Sequence, residues 1–331
     1  MSSMGNVLLD IKNLKVTFQS RFGTVRAVNG IDLTMNKGES LGIVGESGSG
    51  KSVTGLSIMR LLDRNASLSA DRISFDGENL LEKTETEMRH IRGGRISMIF
   101  QDPLASLNPV LSLGSQIEEA IRIHSGQGRN TRYRKVLDML NEVGIPDPEL
   151  NRKAYPHQFS GGMNQRVMIA IALSCRPALL IADEPTTALD VTTQAQILDL
   201  LKKLIHEEQA SLLMISHDFG VIREACERVC VMYCGDILEE GPVQDLLTSP
   251  LHPYTEGLIK SIPKLSGSER LEVIPGNIPR GNQLPSGCVF HPRCHKVKET
   301  CLHERPAAHS IKNGHRVKCF VFDPVRKELW R

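Results

Sequence analysis

No stretch of the 331 residues reaches the roughly 18 apolar positions that a membrane-spanning helix requires. The longest apolar runs, such as 178–182 and 212–215, are strand-length. The N-terminus lacks a basic patch followed by an apolar core, so no secretory signal is read there. The chain is therefore expected in the cytoplasm, touching a membrane only through a partner. Net charge is also scarce: 40 Lys and Arg against 38 Asp and Glu leave a formal +2, too little to argue for nucleic acid as a partner. There is no internal repeat and no low-complexity segment. What is present is an ordinary globular composition, 40% hydrophobic and 24% charged, able to bury a core. The length suggests about two domains.

Eight cysteines are distributed in two groups. Cys175, Cys226, Cys230 and Cys234 lie in apolar surroundings and read as buried thiols, because a reducing compartment disfavours disulfides. Cys288, Cys294, Cys301 and Cys319, spaced C-x₅-C-x₆-C-x₁₇-C, raise the question of a metal site.

Period-two alternation at Val7, Leu9 and Ile11, at Leu14 and Val16, and at Ile31, Leu33 and Met35 predicts short strands over 7–44. Residues 40–44 form an apolar strand entering a glycine-rich turn, and a helix is expected from Ser52. Ile96 to Phe100, Leu179 to Ala182, Leu212 to Ser216 and Val229 to Tyr233 read as further buried strands. Val136, Met139, Leu140 and Val143 fall on one helical face with Gly144 as C-cap. Ile197, Leu200, Leu201 and Leu204 mark another helix. Strands alternating with helices predict an α/β core with a mainly parallel sheet, and the helical stretch at about 104–175 reads as an inserted subdomain. From about residue 246, repeated prolines mark a separate, irregular region. The expected division is 1–245 and 246–331.

Gly45-Glu46-Ser47-Gly48-Ser49-Gly50-Lys51-Ser52 fits G-x-x-x-x-G-K-[ST] between a buried strand and a helix. Glycines let the backbone curl so that N–H groups face phosphate oxygens, and the helix begins at its positive end. Lys51 then reaches the β- and γ-phosphates of ATP, and Ser52 offers its hydroxyl to Mg²⁺. The apolar run ending in Asp183-Glu184 supports this. Asp183 holds a metal-bound water, and Glu184 polarises the attacking one.

At Phe159-Ser160-Gly161-Gly162-Met163 the chain resembles the signature motif of ABC-transporter ATPases, about twenty residues before the acidic strand. Met163 departs from the usual glutamine there. Gln101 resembles the Q-loop glutamine, Ala188-Leu189-Asp190 the D-loop, and His217 the switch histidine. Phe22 sits where an aromatic ring stacks on adenine, with Phe18 as the alternative. The resemblance implies a P-loop NTPase, RecA-like core with an antiparallel β subdomain, an inserted helical subdomain and an irregular C-terminal domain. It further implies that Ser160, Gly161 and Gly162 reach the γ-phosphate of ATP held by a second subunit, with Asp190 near the same interface. Glu184, His217, Gln101 and Lys51 are the expected catalytic set.

His-Pro-Tyr-Thr-Glu-Gly-Leu-Ile-Lys-Ser-Ile-Pro at 252–263, Ile274-Pro275-Gly276 and Gly287-Cys288-Val289-Phe290-His291-Pro292-Arg293-Cys294 resemble ATPase subunits of dipeptide and oligopeptide importers. Importers of nickel and of a few other small solutes share this architecture, and a soluble ABC-type ATPase is the more distant alternative. Some relatives carry a [4Fe–4S] cluster at this cysteine pattern, so Cys288, Cys294, Cys301 and Cys319 are expected to hold one, with Zn²⁺ or no metal as the alternatives. The implied partners are two integral membrane permease subunits, a paralogous ATPase subunit and, indirectly, an extracytoplasmic solute-binding protein. The implied place is the cytoplasmic face of the membrane.

Overall fold

The alternating apolar residues near the N-terminus build two long strands, Val7–Ser20 and Gly23–Asn36, paired antiparallel. The sequence predicts shorter ones, because the alternation breaks between Ile11 and Leu14. The structure absorbs the break in a bulge: Ile11 pairs with Leu33 and Leu14 with Ile31, Asn13 turns to φ 52°, and its N–H donates to Asp32 Oδ1 at 2.8 Å. Bulges of this kind bend a strand without ending it. Leu9, Ile11, Leu14, Ile31, Leu33 and Met35 thereby all stay on the buried side.

The computed structural model describes residues 6–187, 189–262, 273–312 and 314–325. It divides into two units. The first comprises Met1–Asn36, Ser40–Leu81 and Ile215–Arg331. Besides the hairpin, its antiparallel sheet takes in Ala66–Ser69, Arg72–Phe75 and Glu78–Asn79. A second sheet places Ser40–Val44 parallel to Arg228–Tyr233. Asp236–Pro242 then continues it antiparallel, followed by His315–Val317 and His309–Lys312. Ser40–Val44 is apolar and buried after its first residue, as a strand covered on both faces must be. It delivers the chain straight into residues 45–50, and the helix Lys51–Met59 starts at the far side.

The second unit comprises Lys37–Glu39 and Glu82–Met214. Ile96–Ile99 and Leu179–Asp183 run parallel, with the strand beginning at Ser211 beside the latter. Helices Leu113–His124, Arg129–Glu142 and Gly161–Leu173 pack on one another. Arg129–Glu142 buries Val136, Met139 and Leu140, and Gly144 follows it at φ 73°, the left-handed geometry that ends helices. Along Val191–Glu207 the buried stripe is Ile197, Leu198, Leu201, Leu204 and Ile205. Leu198 thus replaces the expected Leu200 on the buried face of the helix. No described helix is long and apolar enough to cross a membrane.

Within the first unit, Glu239 is 1% exposed. Its carboxylate accepts the N–H groups of Leu251 at 2.8 Å and His252 at 2.9 Å, and meets His315 Nε2 at 2.7 Å. His252 Nδ1 accepts from Tyr254 N and caps the helix Pro253–Lys260. Burial, opposed by Glu239 and helped by Lys296, lowers the His252 pKa to about 4. The unfolded histidine titrates near 6.5, so below that pH the unfolded chain binds the extra proton. Stability from this group is complete above pH ~6.5 and falls as pH drops towards 4, by roughly 3 kcal/mol in all. His252→Asn keeps a capping oxygen and removes the proton site. Its melting temperature is expected to fall less than that of the parent between pH 7 and 4.5, as followed by circular dichroism.

Candidate nucleotide site

Residues 45–52 curl as the motif requires. Gly48 and Gly50 take φ 77° and 105°, conformations open to glycine and strained for other residues. A Cβ on Gly45 would collide with the Met232 carbonyl, and one on Gly50 with the Ala27 carbonyl. Gly45→Ala should therefore displace the loop and abolish measurable ATP binding in a fluorescent-nucleotide titration. Ser47 and Gly48 face solvent, whereas Lys51 is 4% exposed. Lys51 Nζ donates to the carbonyls of Gly45 at 2.8 Å and Glu46 at 3.1 Å. Ser52 is half-buried in the first helical turn, and the hydroxyl of buried Ser49 makes no hydrogen bond among the described residues. The loop thus opens at Ser47 and Gly48, with the helix start and buried Lys51 at its base, the arrangement that binds phosphate.

The same unit carries Phe22 and His217. Phe22 stands at the tip of the long hairpin and is 87% exposed, its N–H on Ser20 Oγ and its carbonyl accepting from Asn282 Nδ2. Phe18 is half-buried within the strand opposite Val25, so Phe22 is the freer of the two rings. His217 follows strand Ser211–Ser216 and is exposed.

In the second unit Asp183 ends a wholly buried strand, and Glu184 follows with φ 48°. A non-glycine residue in the left-handed region is uncommon, and such strain gathers at functional positions. Glu184 Oε2 accepts from Gln101 Nε2 at 3.0 Å and from Thr187 Oγ1 at 2.9 Å. Gln101 and Glu184, distant in sequence, are brought together. Ser160 and Gly161 are exposed at the start of the thirteen-residue helix Gly161–Leu173. Ser160 Oγ accepts from Met163 N at 3.4 Å and caps that helix. A Cβ on Gly162 would come 2.6 Å from Thr193 Cγ2, so glycine there permits close helix packing. Asp190 caps the helix Val191–Glu207 through Thr193 N and Oγ1. These two hydrogen bonds, the backbone one first, lower its pKa. Ala188 of the D-loop and Pro263 of the tail segment lie outside the described residues.

The expected [4Fe–4S] site, and zinc with it, is overturned. Among the described residues no group of three or more His, Cys, Asp or Glu is arranged to hold a metal ion. Cys288, Cys294, Cys301 and Cys319 do line one small cavity, together with His252 and His291. Burial raises the thiol pKa of Cys288 to about 11 and of Cys319 to about 12, and raises that of Cys294. Burial thus favours the protonated thiol at these three positions. All eight cysteines are free thiols.

Two residues to which the motifs assign no role stand against the loop. Tyr254 Oη accepts the Glu46 N–H at 2.9 Å. Arg293 holds the Glu46 carboxylate in a fork, Nη1 to Oε2 at 2.7 Å and Nη2 to Oε1 at 3.1 Å. Both lie in segments that the sequence marks only by family resemblance.

Residues 28–187 match the ABC transporter family, and residues 238–301 the oligopeptide/dipeptide transporter C-terminal region. The chain is 47% identical, over 96% of its length and 98% of the relative's, to the oligopeptide transport ATP-binding protein AppD of Bacillus subtilis. It is 46% identical, over 94% and 96%, to the dipeptide transport ATP-binding protein DppD of Escherichia coli. Among solved structures, a dimeric post-hydrolysis state of the ATP-binding cassette MJ0796 with ADP and Pi superposes with a TM-score of 0.63 at 28% identity. It covers 71% of this chain and 99% of that one.

Proposed function

This chain belongs to the ATP-binding proteins of ABC transporters, and from that premise we propose that it hydrolyses ATP to drive the uptake of di- or oligopeptides. The observation that carries the motor reading is the phosphate loop, with buried Lys51 at its base and Ser47 and Gly48 open to solvent. The tail match supports peptides over nickel or a soluble ABC-type role, because it covers the region that relatives named for peptide transport also possess.

In this reading 1–245 is the ATPase domain, with its helical subdomain at about 104–175, and 246–331 is the importer-type C-terminal domain. Residues 45–52 cradle the phosphates, and Lys51 places its charge on the terminal ones. Phe22 stacks on adenine. Gln101 and Thr187 fix one oxygen of Glu184, so that the carboxylate orients the attacking water and takes its proton. Ser52, Asp183 and Gln101 offer the hard oxygen donors that Mg²⁺ prefers, and the ion when bound neutralises phosphate charge. His217 contacts the γ-phosphate. The capped helix start at Ser160, Gly161 and Gly162, with Asp190 further along the chain, serves the ATP of a second subunit. Exposure of Ser160 and Gly161 and the dimeric state of the MJ0796 cassette support a sandwich dimer, for which a paralogous ATPase is the proposed partner. Two permeases would anchor the pair at the cytoplasmic face, served by an extracytoplasmic solute-binding protein.

Affinity purification from detergent-solubilised membranes, with the partners identified by mass spectrometry, tests this. Two permeases and a related ATPase are expected, together with ATPase activity. Recovery of the chain without any membrane protein would remove the transport reading.

A further inference from the structure

A carboxylate is an odd occupant of a loop whose task is to attract phosphate. Glu46 carries one, directly after the first glycine of the motif, and its side chain is 26% exposed. Opposite it, Arg293 is 3% exposed in its side chain. Both terminal nitrogens engage Glu46, while Nε donates to the Pro275 carbonyl at 2.9 Å and Nη2 also to that of Ile274 at 3.2 Å. The guanidinium lies 5.7 Å from the centre of the Tyr233 ring. Tyr233, Tyr254 and Phe290 pack on one another at 4.7 to 5.3 Å between ring centres. The fork is therefore built into a rigid aromatic wall, and the same wall supplies the hydroxyl that receives the Glu46 N–H.

We propose that Arg293 is a positioning residue of the nucleotide site: it neutralises Glu46 and holds its carboxylate away from the bound phosphates, so that the tail region sets the electrostatics of the loop. This rests on the reading that residues 45–52 hold the phosphates of ATP. A planar fork against a carboxylate is both stronger and more directional than a point charge. With Arg293 gone, a bare negative charge would stand in the anion site, and phosphate affinity would fall in a salt-dependent way.

The test is ATP affinity of the full-length protein, measured by titration of a fluorescent ATP analogue at low and high salt, alongside melting temperature. Arg293→Gln is expected to weaken binding about tenfold at low salt, and less at high salt. Adding Glu46→Gln should restore affinity to within about twofold of the parent, because no unpaired charge is left; a role in packing alone predicts no such rescue. Glu46→Gln by itself leaves Arg293 uncompensated and should tighten binding a few-fold at low salt, which keeps the question decidable if Arg293→Gln does not fold. Arg293→Gln with parental affinity, a double variant as weak as the single one, or Glu46→Gln with unchanged affinity at low salt would each overturn the assignment. A parent protein that binds no ATP would instead remove the underlying reading of the loop.

Discussion

Glu184→Gln is expected to retain ATP binding and lose turnover by about 10²- to 10⁴-fold, the usual contribution of a positioned base. The substitution is close to isosteric, so the turn at φ 48° and the partners Gln101 and Thr187 stay within reach of the side-chain oxygen. What disappears is the ability to take a proton from water. Binding and chemistry should therefore separate: the affinity for ATP stays near that of the parent while the rate collapses. If ATP joins two subunits, as the exposed helix start at Ser160 suggests, the unhydrolysed nucleotide should also hold them together, and the variant should elute as a dimer in ATP. A steady-state phosphate-release assay with size-exclusion chromatography reads both results. A variant that hydrolyses at the parental rate would strip Glu184 of its role.

Glu239→Ala should cost the protein about 3 kcal/mol or more. The carboxylate serves two backbone N–H groups and a histidine ring in a buried place. Each donor left stranded away from water costs about 1–3 kcal/mol. For a protein whose entire margin is about 5–15 kcal/mol, that should lower the melting temperature by about 6–12 °C. Because Leu251 and His252 lead into the helix that carries Tyr254, the contact to the Glu46 N–H should weaken as well. Glu239→Gln keeps one acceptor and should lose less. Calorimetry of the two variants against the parent gives the comparison, and an alanine variant that melts with the parent would mean that Glu239 anchors nothing.

Contiguous features are legible in the order of residues. The loop at 45–52, the strand ending at Asp183 and the signature motif at 159–163 are each written in neighbouring positions. Their geometry follows from backbone sterics and helix ends, which are local. The hairpin is legible only in part. Its alternation fails at Asn13, and only the paired strand, through Asp32, shows the failure to be a bulge. The cysteines mark the opposite limit. A four-thiol spacing resembles a metal site, but whether the sulfurs come together as a ligand set depends on how the segments around them pack, and among the described residues they form no such group.

The order and chemistry of the motifs therefore came from the sequence alone: a phosphate loop, an acidic strand end, a signature motif at 159–163 and a tail resembling that of peptide importers. Tertiary structure alone decided that Arg293 meets Glu46 across most of the chain, that Gln101 rests on Glu184, and that the four tail cysteines line one cavity without forming, among the described residues, a group arranged to hold a metal ion. The physical reason is that these contacts join residues far apart in the chain. Their existence depends on which side chains burial brings together, and no local periodicity or spacing encodes that.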